Sequence, residues 1–187
     1  MTIEPRPKRY PPPEFPPRRP KLFARTPPAV FPSILGLLGL VGAVRLALGR
    51  MGWDLGLADL LAGIVVALWA FAAVAYGAKV VRRPAVVTED LRVLPGRSGL
   101  ATMTMGGMAA AGLVGAYSAP VGATLLVLAL AGHLVLALLL VRLLLNLAPE
   151  ARAVNPTLHL SLVGFIVAAG PALSLGWPML SEALFWA

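Results

Sequence analysis

The chain has 187 residues, of which 58% are hydrophobic and 13% charged, and its mean hydropathy is +0.82. Soluble domains carry about 25% charged residues, so this composition excludes an ordinary water-soluble domain. The net charge of +8 does not indicate nucleic-acid binding, because the basic residues flank apolar runs and form no separate basic domain. We expect no nucleic acid as a partner and anionic lipid headgroups instead. The absence of cysteine excludes disulfides, thiolate metal sites and thiol nucleophiles.

Residues 1–30 form a segment rich in proline and basic residues, with 10 of the 18 prolines and seven of the 16 Lys and Arg. Consecutive prolines oppose helix formation and favour extended polyproline geometry. The segment is predicted to be a cytoplasmic tail. It is either a disordered stretch that touches lipid headgroups or an arm that docks on a partner.

Five apolar runs are long enough to cross a bilayer, which takes about 20 residues of helix. They lie near 31–49, 55–80, 100–118, 121–145 and 157–175. Residues 31–175 are therefore predicted to form an all-α integral membrane bundle of five transmembrane helices arranged as hairpins. Pro171 lies inside the fifth run and is expected to kink it, because proline cannot donate the helical hydrogen bond.

The positive charges predict the orientation of this bundle. Fourteen of the 16 Lys and Arg lie before residue 31, in the loop 79–97 or in the link 142–152, which all fall on one side of the runs. Only Arg45 and Arg50 lie near the opposite ends. Because basic loops stay in the cytoplasm, the N-terminus and both basic links are predicted to be cytoplasmic.

The last segment, 176–187, is too short to cross the membrane. The 11 residues from Trp177 to Ala187 would make a helix of about 16 Å. The segment is expected either to lie along the outer interface, anchored by Trp177 and Trp186, or to be the beginning of a truncated sixth helix.

The five runs differ in the size of their side chains. The first, third and fifth are rich in Gly and Ala, whereas the second and fourth are rich in bulky aliphatic residues such as Leu136. Small residues let helix backbones approach closely in lipid. The odd-numbered helices are therefore predicted to form an inner layer and the even-numbered ones, including Leu136, a lipid-facing outer layer.

Two segments resemble a known family of membrane proteins. The segment 31–40 begins with Phe31 and Pro32, carries Gly36 and Gly39 and is followed by Arg45. It resembles the first helix of the tellurite-resistance/dicarboxylate transporter family, which includes bacterial tellurite-resistance membrane proteins and plant slow-type anion channels. The segment 76–95 is similar to that family's link between helices two and three, through its Tyr-Gly-Ala-Lys, Arg-Pro, Glu-Asp-Leu and Pro residues.

The resemblance covers about residues 27–175 and corresponds to the first half of the family's fold. It implies ten helices in five hairpins, with odd-numbered helices around an anion pore, usually in a trimer in the bacterial cytoplasmic membrane. The aromatic gate on the family's ninth helix has no counterpart in this chain. The candidate pore-lining residues that follow from the resemblance and from the small-residue helices are Gly36, Gly39, Arg45, Thr102, Thr104, Gly106, Gly164 and Pro171.

Each of these candidates also has a purely structural interpretation. Arg45 either extends its guanidinium to the lipid headgroups or attracts anions at the mouth of a pore. Thr102 and Thr104 either bond their own helix backbone or offer hydroxyls to a permeating anion. The glycines either line a pore or allow close helix packing.

The function favoured by these features is an anion channel or transporter-like protein with passive conduction along the odd-numbered helices. The alternative is a non-conducting accessory or structural subunit of a larger membrane complex. The sequence has no P-loop and no nucleophile with an activating base, so no enzymatic activity, cofactor or metal is expected. His133, near the middle of the fourth run, is either a buried interhelical hydrogen-bond partner or a ligand or proton relay.

Overall fold

The computed structural model describes residues 22–146 and 157–186, and these residues form helices and no strand. A short 3₁₀ turn, Pro28–Val30, leads into the first helix. The α-helices, in chain order, are α1 (Phe31–Met51), α2 (Gly56–Arg82), α3 (Ala85–Arg92), α4 (Leu94–Gly115), α5 (Ala119–Leu145), α6 (Thr157–Leu162), α7 (Ala169–Ser174) and α8 (Pro178–Trp186).

Three helical segments are long and apolar enough to cross a membrane. They are Pro28–Met51, Gly56–Arg82 and Ala119–Leu145, with 24, 27 and 27 residues. Helix α4 has 22 residues but contains Gly, Thr and Ala where the other three contain Leu and Val, so its hydropathy is lower. The all-helical prediction is thus confirmed for the described residues, and three of the five predicted spans have the length and composition of membrane helices.

Helix α4, the third predicted span, lies at the centre of the bundle. It contacts α1, α2, α3, α5, α6 and α7, and 13 of its residues are buried. Its small side chains allow this proximity: a β-carbon added to Gly122 of α5 would lie 2.6 Å from Cα of Gly115 in α4. The inner position expected of the odd-numbered helices is clearest for α4. Helix α1 buries one face on α4 and leaves its glycine face exposed.

The outward faces of α2 and α5 carry large apolar side chains that suit lipid. Leu60, Phe71, Leu128 and Leu134 are each more than half exposed. The prediction that Leu136 also faces lipid is wrong. Leu136 is only 6% exposed and belongs to the core, because its position on α5 faces inward while that of Leu134 does not.

The fifth predicted span is interrupted. Helix α6 ends at Leu162, a 3₁₀ segment covers Gly164–Ala168, and α7 begins at Ala169. Pro171 lies in the first turn of α7, where its missing N–H costs little, and the α-helical ladder is broken just before it. This agrees with the predicted kink.

The residues just before α1, predicted to belong to the tail, pack onto the bundle. The Phe23 ring makes an edge-to-face contact with Phe71 at 5.8 Å between centroids. The ammonium of Lys79 donates to the carbonyl oxygen of Thr26 at 3.2 Å, and Pro28 is buried. The bundle therefore begins before residue 31, whereas residues 1–21 of the predicted tail lie outside the described part of the chain.

The loop between the second and third predicted spans contains a helix, α3, that the sequence analysis did not predict. Asp90 of α3 accepts a hydrogen bond from the Tyr76 hydroxyl at 2.8 Å and lies 3.6 Å from Nζ of Lys79. These contacts hold α3 against the end of α2.

Candidate functional site

The glycine face of α1 forms one wall of an open groove, which we call the arginine groove. Helices α4 and α7 form most of the rest, with Leu55 before α2 and Val167 of the 3₁₀ segment, and the volume of the groove is about 600 Å³. Seven of its fifteen lining residues are Gly, Ala or Ser. The lining residues are Leu38, Gly39, Gly42, Arg45, Leu46, Gly49, Arg50, Leu55, Ala109, Gly112, Leu113, Val167, Gly170, Pro171 and Ser174.

Two arginines of α1 lie at one end of this groove, and they differ in their surroundings. Nε of Arg45 donates to Oδ1 of Asp59 on α2 at 2.7 Å, and the Arg45 guanidinium lies 5.6 Å from the Tyr117 ring centroid. The charge of Arg45 is therefore largely compensated.

Arg50 is the second arginine of the groove, and sequence reasoning did not select it as a site residue. It is exposed, lies in the last turn of α1, and forms no ion pair within residues 22–146 and 157–186. Its position could have been found from helical periodicity, since Gly39, Gly42, Leu46, Gly49 and Arg50 recur at spacings of one helical turn. Arg50 thus supplies an uncompensated positive charge to the groove.

The structure places three of the eight candidate pore-lining residues together in the arginine groove. Gly39 and Arg45 line it from α1, and Pro171 lines it from α7. Gly36 lies on the exposed side of α1 one turn away, where a β-carbon would meet no atom within 4 Å.

The other four candidates lie away from the arginine groove. The Thr102 hydroxyl donates to the Ser98 carbonyl oxygen at 2.8 Å, as the backbone-bonding interpretation expects. Gly106 packs against the Trp69 ring, and Gly164 packs against the His133 ring. None of these three residues lines the arginine groove.

Thr104 joins α4 to α5 through His133. Its hydroxyl oxygen lies 2.8 Å from the carbonyl oxygen of Ala101 and forms a hydrogen bond of 2.7 Å with Nδ1 of His133. The interhelical hydrogen bond predicted for His133 is thereby confirmed. Nε2 of His133 and Oγ of Ser161 are both buried and form no hydrogen bond within the described residues.

No arrangement of ligands for a metal ion is found in the described ranges: no three His, Asp or Glu side chains there are grouped around a common point. Comparison of the chain with protein-family models, curated proteins and solved structures finds no match. The arginine groove is the part of the described structure that combines small lining residues with an unpaired cation, Arg50.

Proposed function

We propose that this chain is a membrane protein that forms one wall of a path for small anions. The observation that carries the proposal is the arginine groove, in which a strip of small residues leads to Arg50 and to the Arg45–Asp59 pair. Glycine and alanine leave space between helices, and a fixed cationic side chain favours entry of an anion over a cation. The resemblance of segments 31–40 and 76–95 to the anion-channel family supports the same proposal.

In this proposal the helices α1, α2, α4 and α5 and the segment 157–174 cross the bacterial cytoplasmic membrane, with the N-terminus in the cytoplasm. The interrupted fifth segment is acceptable there because non-helical backbone at membrane depth is tolerated where it is covered by protein. Its 3₁₀ turn contains buried Gly164 and Ala168.

The groove is open along one side, so a closed path requires a second polypeptide surface. We propose a second copy of the chain within a homo-oligomer, which the resemblance suggests to be a trimer. Conduction would be passive, with no enzymatic step and no cofactor: the small residues set the width, and Arg50 and Arg45 set the preference for anions.

Flux through liposomes tests this proposal. Protein reconstituted at low ionic strength should pass chloride or nitrate faster than potassium, and Arg50→Gln should reduce anion flux. Asp59→Asn should increase it, because this change frees the charge of Arg45. Asp54→Asn is the matched control, since the Asp54 carboxylate accepts from the Gly56 N–H at the start of α2 and lies outside the groove.

Absence of anion flux, or equal effects of Asp59→Asn and Asp54→Asn, would contradict the proposal. Low salt is essential because exposed charges are screened over about 10 Å at 0.1 M salt.

A second candidate function is that of a non-conducting accessory subunit. The exposed glycine face of α1 favours it, because such a face suits close packing by a helix of another protein. Gentle detergent extraction followed by size separation distinguishes the two. A stable hetero-complex that is lost on deletion of residues 1–21 supports the subunit, and a homo-oligomer unaffected by that deletion supports the channel. The deletion stops at residue 21 because the bundle packs against residues 22–30.

A further inference from the structure

A second groove lies on the opposite flank of α4, between α2 and α5. Its volume is about 530 Å³, and we call it the apolar groove because nearly all its lining is hydrocarbon. Both walls belong to helices that are long and apolar enough to cross a membrane. The floor is formed by Leu100, Met103 and Thr104 of α4.

Small residues make this groove a recess in an otherwise bulky surface. Ala73 and Gly77 indent the α2 wall, and Gly132 indents the α5 wall. Trp69 is the first lining residue of the α2 wall, and its Nε1 donates to the carbonyl oxygen of Met103 at 3.0 Å. The α2 wall thus begins at a side chain that is hydrogen-bonded to α4.

The apolar groove has the length of one lipid leaflet. Its α2 wall extends from Trp69 to Val81, which is about 18 Å of helix, and half of the hydrocarbon core is about 15 Å. Trp69 and Ala129 both approach Gly107, whereas the lining ends at Val81 on α2 and at Leu139 on α5. The α2 wall therefore runs from the middle of the bundle to the C-terminal end of α2, and the α5 wall runs from Leu125, about one turn further toward the start of α5, to Leu139.

A free cation lies at that open end. Arg142 follows Leu139 by one turn on the same face of α5 and is exposed. It forms no ion pair with any residue in the described part of the chain. Three other cations lie near the end of α2: Lys79 pairs with Asp90, Arg83 just after the helix pairs with Glu89, and Arg82 donates to the carbonyl oxygen of Leu22.

We propose that the apolar groove binds one acyl chain of an anionic glycerophospholipid, whose phosphate is held by Arg142. The lipid enters from the leaflet whose headgroups lie level with Arg142, and its chain extends along α2 to Trp69. This site is independent of the anion path, since no residue lines both grooves.

Native mass spectrometry of the intact, detergent-purified chain tests the site. In mixed micelles containing equal amounts of phosphatidylglycerol and phosphatidylcholine, the protein should retain one phosphatidylglycerol. Gly132→Leu should abolish this retention by filling the groove, since a β-carbon at Gly132 has only ordinary contact with Thr104 at 3.5 Å. Leu128→Trp should also abolish retention, because it fills the same space from a position that is 65% exposed and lies outside the core.

The matched control is Gly36→Leu, which makes the same change at an exposed helix position outside both grooves. It should leave the retained lipid unchanged. Arg142→Gln should lower the preference for phosphatidylglycerol over phosphatidylcholine about fivefold, the effect of one basic residue near a headgroup.

Equal retention in Gly132→Leu, Leu128→Trp and the unaltered chain would overturn the site. An unchanged lipid preference in Arg142→Gln would overturn the anionic headgroup, as would retention of both lipids in equal amounts. The proposal would also be overturned if Gly132→Leu and Leu128→Trp released a bound protein subunit instead of a lipid.

Discussion

The hydroxyl of Thr104 and the imidazole of His133 form a hydrogen bond of 2.7 Å between α4 and α5. His133 is fully buried, and the Phe165 ring packs edge-on against the imidazole with 4.6 Å between the two ring centroids. Because His133 is buried, its Nδ1 loses its hydrogen-bond partner among the described residues if the threonine hydroxyl is removed.

Thr104→Val should therefore destabilise the protein by about 1–2 kcal/mol, the cost of leaving one buried polar atom without a hydrogen bond. Thr102→Val is the control, because the Thr102 hydroxyl bonds carbonyl groups of its own helix, which keep their backbone partners. It should change stability by no more than about 0.5 kcal/mol. Thermal unfolding in detergent measures both, and equal losses would refute the importance of the bond.

Gly122→Ala should destabilise the contact of α4 with α5. A β-carbon at Gly122 would lie 2.6 Å from Cα of Gly115 and 2.9 Å from the Ala111 carbonyl oxygen, and backbone atoms cannot rotate away as a side chain can. We expect a loss of about 1–3 kcal/mol. Gly36→Ala meets no atom within 4 Å and should preserve or slightly raise the melting temperature, since alanine favours helix.

Leu136→Ala should be more damaging than Leu134→Ala. Leu136 is 6% exposed and Leu134 is 51% exposed, so only the first change leaves a cavity in the core. The expected loss is about 2 kcal/mol or more for Leu136→Ala and within about 0.5 kcal/mol for Leu134→Ala. Melting temperatures in the same detergent compare them, and the reverse order would mean that α5 is rotated relative to this structure.

Lys79→Met should loosen the junction of α2, α3 and the segment 22–30. The Lys79 ammonium donates to the Thr26 carbonyl oxygen and lies near the Asp90 carboxylate, and Met keeps only the apolar stem. Hydrogen exchange should become faster at residues 23–30 and 85–92. Arg92→Met removes an exposed charge that forms no ion pair in the described ranges and should leave these rates unchanged.

The positions of the helices could be predicted from the sequence. Long apolar runs bounded by Gly, Pro and charged residues are readable in one dimension, and α1, α2 and α5 begin and end close to the predicted runs. The break before Pro171 was also predictable, because the ring removes a backbone donor whatever surrounds it. Helix α3 was missed because its eight residues are too short and too polar to produce an apolar run.

The candidate site was only partly predictable, as the arginines of α1 illustrate. Arg45 was selected from its position near a helix end, but its pairing with Asp59 depends on how α1 and α2 face each other. Arg50 became a candidate only when the groove beside it was visible.

The sequence by itself determined that this is a helical membrane protein, because the length of its apolar runs reports directly on transfer out of water. Only the tertiary structure decided which side of each helix meets protein and which meets lipid. Gly36 and Gly106, or Leu134 and Leu136, are indistinguishable by hydropathy, since lipid tails and a protein core are equally apolar. Close packing separates them, and it depends on the three-dimensional arrangement of neighbouring helices.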